Sequence, residues 1–194
     1  MCAVSLRARL AQKAYDFLDV GKSPRPADCI FVPAGKQERK TYGIKMWRFG
    51  YAAQLILSVG RSELRKFSEL NLESDGGLEA LAEQAPAKKA HFLVRMDRQE
   101  SFCVQLRPGL FALRSEVRGA AKYLRELSVR SLLVVSSPAH LRSVSLVCRR
   151  AFRKTGVQLT FVAVPEKPSF ASPAVRSEIW ADFRRYVCYR LLVF

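Results

Sequence analysis

The chain is poor in histidine and in acid, and it has no long apolar run. Only two histidines, His91 and His140, occur in 194 residues. Metal chemistry built on clustered imidazoles is therefore not expected. The cysteines, Cys2, Cys29, Cys103, Cys148 and Cys188, are odd in number, with no CxxC pair and no Cys/His cluster. That argues against a disulfide framework and a zinc site, and surroundings such as FCV and YVCY predict small buried thiols. No apolar run approaches the ~20 residues a membrane-spanning helix needs. Neither GxGxxG nor GxxxxGK[ST] is present, so neither a standard dinucleotide fingerprint nor a P-loop is expected. Repeats and low-complexity tracts are also missing.

What is present is positive charge. Lys and Arg number 33 against 17 Asp and Glu, a formal net charge of +16. The excess is uneven: residues 107–154 carry eleven basic and two acidic side chains, whereas residues 51–106 carry seven and eight. Such a field attracts nucleotides, phosphates, nucleic acid or acidic lipid headgroups, and it is equally the property of a merely solvated basic surface. About half the residues are apolar, enough for one domain with a substantial core.

Near the N-terminus Val4, Leu6, Leu10, Ala14, Phe17 and Leu18 form an approximate helical stripe. Arg7, Arg9, Lys13 and Asp16 interrupt it, which predicts a surface helix rather than a secretory leader. A cytoplasmic location follows as an expectation. After the GKSPRP loop, ADCIFVPAG reads as a buried strand ending in a turn. QERKTYGIKMWRFG reads as a helix with Ile44, Trp47 and Tyr51 inward and Gly50 as its stop. AQLILSVG is a second strand, and a further helix is expected to begin near Ser62. NLESDGG reads as a loop, and LEALAEQAPAKKAH as a helix that Pro86 ends or bends. Residues 92–106 hold two short strands around MDRQES, and RPG at 107–109 a turn. SEVRGAAKYLRELS predicts a helix with Ser115 as N-cap and Val117, Ala120, Ala121 and Leu124 inward. SLLVVS is a strand, followed by a helix from SPAHLR to Gly156 with Leu141, Val144, Cys148, Ala151 and Phe152 on one face. QLTFVAVP is a last strand, and RSEIWADFRRYVCYRLL a terminal helix with Ile179, Phe183, Val187 and Leu191 inward. Alternating helices and nearly continuous apolar strands predict an α/β domain with a mostly parallel central sheet and helices on both faces. Ligands of such sheets lie beyond the carboxyl ends of the strands, where PAGKQER, SVGRSE and SSPAHLR should meet.

In LLVVSSPAH, Ser137 is a good N-cap and Pro138 suits the first helical position. His140 then sits in the first turn, where unpaired N–H groups and the helix dipole favour an anion. Ser136 and Ser137 add hydroxyls, and Arg142 would add fixed charge if it turned toward the mouth. His140 is open to the roles of neutral hydrogen-bond partner, general base or ligand anchor, or simply a capping histidine without chemistry. His91 has no comparable setting and reads as structural or solvent-exposed. Gly35 and Gly60 end two strands, for turn chemistry or for close backbone approach to a ligand. Lys36 and Arg39 follow the first strand and either contact an anion or belong to a solvated helix face. Glu116 can orient His140, act as a base, or support its own helix N-terminus; Glu178 has the same ambiguity. Arg142, Arg149 and Arg153 share a helical stripe with Arg150 beside it, as a phosphate-contacting face or a solvated one. Trp47 and Trp180 are expected to pack rather than stack on bases.

These motifs, in this order, resemble the bacterial ElyC/SanA/YdcF family. The similarity rests on ADCIFVPAG, the ER in the next helix, AQLILSVGR, SEVRGAAKYLREL, SLLVVSSPAHLRS and SEIWADFRRYVCYRL. It covers roughly residues 25–192, with residues 1–24 an N-terminal helix and linker of a single domain. It implies a Rossmann-like three-layer fold, links to the cell envelope, and peripheral placement at the inner membrane, since no membrane anchor is read in this sequence. By position it implies a pocket lined or supported by Gly35, Arg39, Ser58, Gly60, Glu116, Ser136, His140 and Glu178. Departures from the family pattern are Pro33-Ala34-Gly35 in the first turn, Val59 in the second, Leu113 in place of a threonine and Ser136 in place of another. The function expected is binding of a small anionic or nucleotide-like ligand at the strand ends, with His140 and Glu116 as proton-transfer groups of a hydrolase or transferase. The ligand would be held by Gly35, Arg39, Ser58, Gly60, Ser136, Ser137, Arg142 and Glu178. The competing expectation is a non-catalytic basic module that binds nucleic acid or anionic membrane through Arg149, Arg150 and Arg153.

Overall fold

The structure is a computed structural model and describes residues 5–60, 63, 91–97, 101–106 and 112–192. Helix α1 (Leu6–Leu18) opens it, with the Ser5 side chain accepting from the Ala8 N–H as N-cap. Strand β1 (Ala27–Val32), helix α2 (Gln37–Arg48) and strand β2 (Ala52–Gly60) follow. Strands β3 (His91–Met96) and β4 (Ser101–Gln105) come next, then helix α3 (Ala112–Glu126) and strand β5 (Ser131–Ser136). Helix α4 (Pro138–Ala151), strand β6 (Gln158–Ala163) and helix α5 (Pro173–Leu192) complete it.

The six strands form one sheet in the order β4-β3-β2-β1-β5-β6. Strands β2, β1, β5 and β6 pair in parallel, while β3 pairs antiparallel with both β2 and β4. This is the expected α/β architecture, mostly parallel and Rossmann-like in its layering. The inner strands are apolar on both sides because both sides are covered. Ile30, Val32, Leu55, Leu57, Leu133 and Val135 pack toward Ile44 and Met46 of α2. Cys29, Phe31, Ile56, Leu132 and Val134 pack toward α3 and α4 through Leu113, Val117, Leu141 and Val144. Helices α1 and α5 pack on each other and on α4 around Ala11, Ala14, Leu18, Ala139 and Ile179.

Two local devices, one polar and one steric, set positions within this frame. The Asp28 carboxylate accepts from the Arg130 and Ser131 N–H groups, both at 2.8 Å, and so fixes where β5 begins beside β1. Those bonds hold the carboxyl below its ordinary value. Gly43 lets α2 lie close on β1: a Cβ there would stand 2.5 Å from Val32 Cγ2.

Several local expectations are corrected. Helix α3 already runs from Ala112, so Ser115 lies inside it and is not the N-cap. Helix α4 ends at Ala151 with Phe152 as C-cap, and Gly156 closes the following turn at φ 73°. Val187 and Leu191 are exposed, and Tyr189 takes the buried position on that part of α5. Cys188 is exposed too, unlike Cys29, Cys103 and Cys148. The helix expected from Ser62, apart from Glu63 itself, lies outside the described residues, as do the loop and helix expected within 71–90 and the turn at 107–109. No helix among the described residues is long and apolar enough to cross a membrane.

Candidate functional site

From β1 the chain reverses into α2 and goes to β2 on one side, while β5 lies on the other side of β1. The carboxyl ends of β1 and β5 therefore flank a topological switch point, where an open sheet leaves a crevice. A cleft of about 430 Å³ lies there, lined by Gly35, Lys36 and Arg39 after β1, Glu116 of α3, His140 of α4, and Asp182 of α5 among others. A smaller hollow of about 260 Å³, bordered by Tyr15, Ser137 and Glu166, adjoins it and shares Lys36, Glu178 and Asp182.

Arg39 is the most unusual wall of the cleft. It is 6 % exposed, yet among the described residues no carboxylate lies within ion-pair distance of it. Its Nε and Nη2 donate to Ser137 Oγ at 3.1 and 2.7 Å, and Nη1 donates to the Ala34 carbonyl at 3.3 Å. Ser137 is the N-cap of α4 as expected, with Pro138 next, but its hydroxyl makes no capping bond because Arg39 occupies it. A buried cation with neutral partners thus stands beside the positive end of a helix. Gly35 makes room for it: φ there is 138°, and a Cβ would come within 2.6 Å of Arg39 Nη1.

The other reversals are tied in by carboxylates. Glu63 accepts from the N–H groups of Gly35 and Gly60 and pairs with Lys40, which is 1 % exposed. Glu116 accepts from the Ala34 N–H at 3.1 Å, and its Oε1 lies 3.6 Å from His91 Nε2. That same imidazole nitrogen is 2.7 Å from Ser58 Oγ. Burial above all pushes the Glu116 carboxyl up to about 7, despite the Ala34 bond, with Glu63 adding to the rise. His140 pairs through Nδ1 with Asp182 at 3.1 Å, and Arg185 also reaches that carboxylate. Burial pulls the His140 imidazole below its ordinary value, against the opposing effect of its hydrogen bond to the Asp182 carboxylate.

The expected residues divide accordingly. Gly35, Arg39, Glu116, His140 and Glu178 line one cleft. The carboxylate that orients His140 is Asp182 rather than Glu116, although both line the cleft. Ser58 and Ser136 are fully buried and do not line it; Ser58 supports His91, and the Ser136 hydroxyl has no partner among the described residues. Gly60 acts through its N–H to Glu63 at 3.2 Å. Ser137 holds Arg39 and borders the smaller hollow. Glu178 forms an exposed pair with Lys36 at 2.6 Å. Arg142 turns away: it donates to the Phe17 carbonyl and stacks over that ring, 4.0 Å from its centroid. The expected arginine stripe also splits, since Arg149 lies over the Phe161 ring at 5.2 Å while Arg150 faces α3 across a groove.

Sequence reasoning passed over Lys40, Glu63 and Asp182, and it reads His91 as structural or solvent-exposed without placing it behind Glu116. Only Asp182 left a readable trace, since it follows Glu178 by one helical turn and shares its face. The chain matches no protein-family model, no curated protein and no solved structure.

Proposed function

We propose that this protein binds a small anionic ligand, phosphate-bearing or nucleotide-like, in the cleft at the carboxyl ends of β1 and β5. The observation that carries the reading is Arg39, a buried guanidinium with neutral partners beside the α4 N-terminus, on the wall of an open cleft. Asp182, Glu63, Glu116 and Glu166 support the guanidinium only from beyond contact distance, so an anion in the cleft would give it a direct partner and meet the helix dipole. Lys36 and Arg185 also stand at the rim, each paired with a carboxylate, Glu178 and Asp182, that an incoming anion would displace or share. Glu116 and His140 stand on the same wall. A carboxyl near neutrality and a weakly basic imidazole suit proton transfer in hydrolysis or group transfer. The reading accords with the resemblance to the ElyC/SanA/YdcF family, whose matched positions Gly35, Arg39, Glu116, His140 and Glu178 share the cleft. It includes a cytoplasmic location, with peripheral placement at the inner membrane.

The test is thermal unfolding of the wild type and of Arg39→Met with phosphate, pyrophosphate and nucleoside phosphates. At a hundredfold excess over Kd, a true ligand raises the wild-type Tm by roughly 5–10 °C and leaves Arg39→Met unmoved. Equal shifts in the two proteins, or none with any of these anions, defeat the reading. His140→Ala, followed for turnover of whichever compound binds, then separates binding from catalysis.

A further inference from the structure

Helix α3 is a ridge between two hollows, neither of which belongs to the cleft at the strand ends. On one flank a groove of about 710 Å³ runs between α3 and α4, lined by Arg114, Arg118, Lys122, Arg125 and Arg150, with no carboxylate among its lining residues. On the other flank a cleft of about 660 Å³ opens toward β3 and β4, where Tyr123, Val104 and Leu106 meet Gln105 and Glu126. Arg118 and Lys122 border both hollows. Arg114, Arg118 and Lys122 recur every fourth residue, a spacing of about 6 Å along the helix. Beside the second cleft the Phe102 ring, 49 % exposed, lies nearly parallel to Tyr123, with centroids 6.3 Å apart and planes at 8°.

We infer that α3 is a binding ridge for single-stranded nucleic acid, with the phosphodiester backbone along its row of cations and bases received on the aromatic side. Two independent features select this occupant. A row of cations tracks a chain of regularly spaced phosphates, and the exposed Phe102 ring, backed by the half-buried Tyr123, offers bases a stacking surface beside it. A duplex keeps its bases stacked away from such a platform. An anionic bilayer gains little from the basic groove, whose apolar lining is Ala121 and Val147, both buried, and Ala151, a half-buried methyl too small to insert. The site differs from the expected Arg149–Arg153 stripe: of that stripe only Arg150 takes part.

The experiment measures binding of a labelled oligothymidylate and its RNA counterpart across a salt series. A matched duplex and phosphatidylglycerol vesicles are run in parallel. The proteins are the wild type, Arg118→Glu/Lys122→Glu, Tyr123→Ala and Phe102→Ala, each checked for folding by thermal melting. The wild type binds the single strands with steep salt dependence. The charge-reversed protein binds at least tenfold more weakly, and its log–log salt slope is shallower by about 1.4, two cations at about 0.7 each. Phe102→Ala, at a position about half exposed to solvent, weakens binding at least fivefold and leaves the slope intact. Arg39→Met binds the strand like the wild type, so failure of the cleft reading and failure of this one are separately visible. The inference falls if single strands do not bind at about 50 mM salt, if charge reversal leaves the slope unchanged, if both aromatic variants bind like the wild type, or if duplex or vesicles bind equally well.

Discussion

Lys40 and Glu63 form a buried ion pair, 2.5 Å between Nζ and Oε2, and the same carboxylate holds the backbone of Gly35 and Gly60. One side chain thereby fastens together the turns that follow β1 and β2. Lys40 is 1 % exposed, so removing Glu63 would leave a buried side chain without its ionic partner. Glu63→Ala is therefore expected to cost about 3–5 kcal/mol in urea unfolding. Lys40→Met/Glu63→Gln, which removes both charges and keeps one acceptor, should recover a good part of that. A loss below about 0.5 kcal/mol for Glu63→Ala would mean that the pair does not hold the turns.

Gly35→Ala tests the space beneath Arg39. The alanine meets an unfavourable φ of 138° and a guanidinium nitrogen at 2.6 Å. A stability loss of about 1–3 kcal/mol is expected, together with loss of anion binding as Arg39 is displaced. Unchanged binding in a folded Gly35→Ala protein would place the anion elsewhere.

The raised Glu116 carboxyl makes stability depend on pH in a definite direction. The folded protein holds this proton up to about 7, whereas the unfolded chain releases it near 4.5. The group's contribution is therefore full below 4.5 and is lost as pH rises toward 7. Glu116→Gln removes the titration while keeping an acceptor for the Ala34 N–H. Its Tm relative to the wild type should improve steadily across that window, and a constant difference would show that the carboxyl titrates normally.

With two histidines in the chain, imidazole titration by NMR is simple to assign. His140 should titrate below the ordinary range because it is buried, and Asp182→Asn should lower it further by removing the charge that supports protonation. His91, paired with Ser58 and Glu116, should keep its midpoint. A His140 midpoint untouched by Asp182→Asn would mean the pair is not formed in solution.

The layered fold was legible because it is written locally. Apolar strands ending in Gly35 and Gly60, the Ser137-Pro138 helix start and the inward face of α3 all follow from neighbouring residues. The convergence of the first and third turns was legible for the same reason, since strand ends in a parallel sheet share one rim. The pairing of polar side chains was not. Glu116 reaches Ala34 across 82 positions and Arg39 reaches Ser137 across 98, and no local pattern records such distances. Local pattern therefore offers Glu116 to His140 where the structure pairs it with Asp182, and it gives no hint that His91 stands behind Glu116. The inward face of α5 failed differently. Apolar residues lie on several of its sides, so periodicity alone does not show that Val187 and Leu191 leave the core while Tyr189 enters it.

The fastening of the rim by partners far apart in the chain also bears on assembly. A fragment that stops after β2 would contain Gly35, Arg39 and Gly60 but neither Glu116 nor Ser137, so its loops would have little to shape them. The rim of the proposed anion cleft is thus complete only once the last third of the polypeptide has docked. During synthesis that rim is therefore finished late, by the segments that come last.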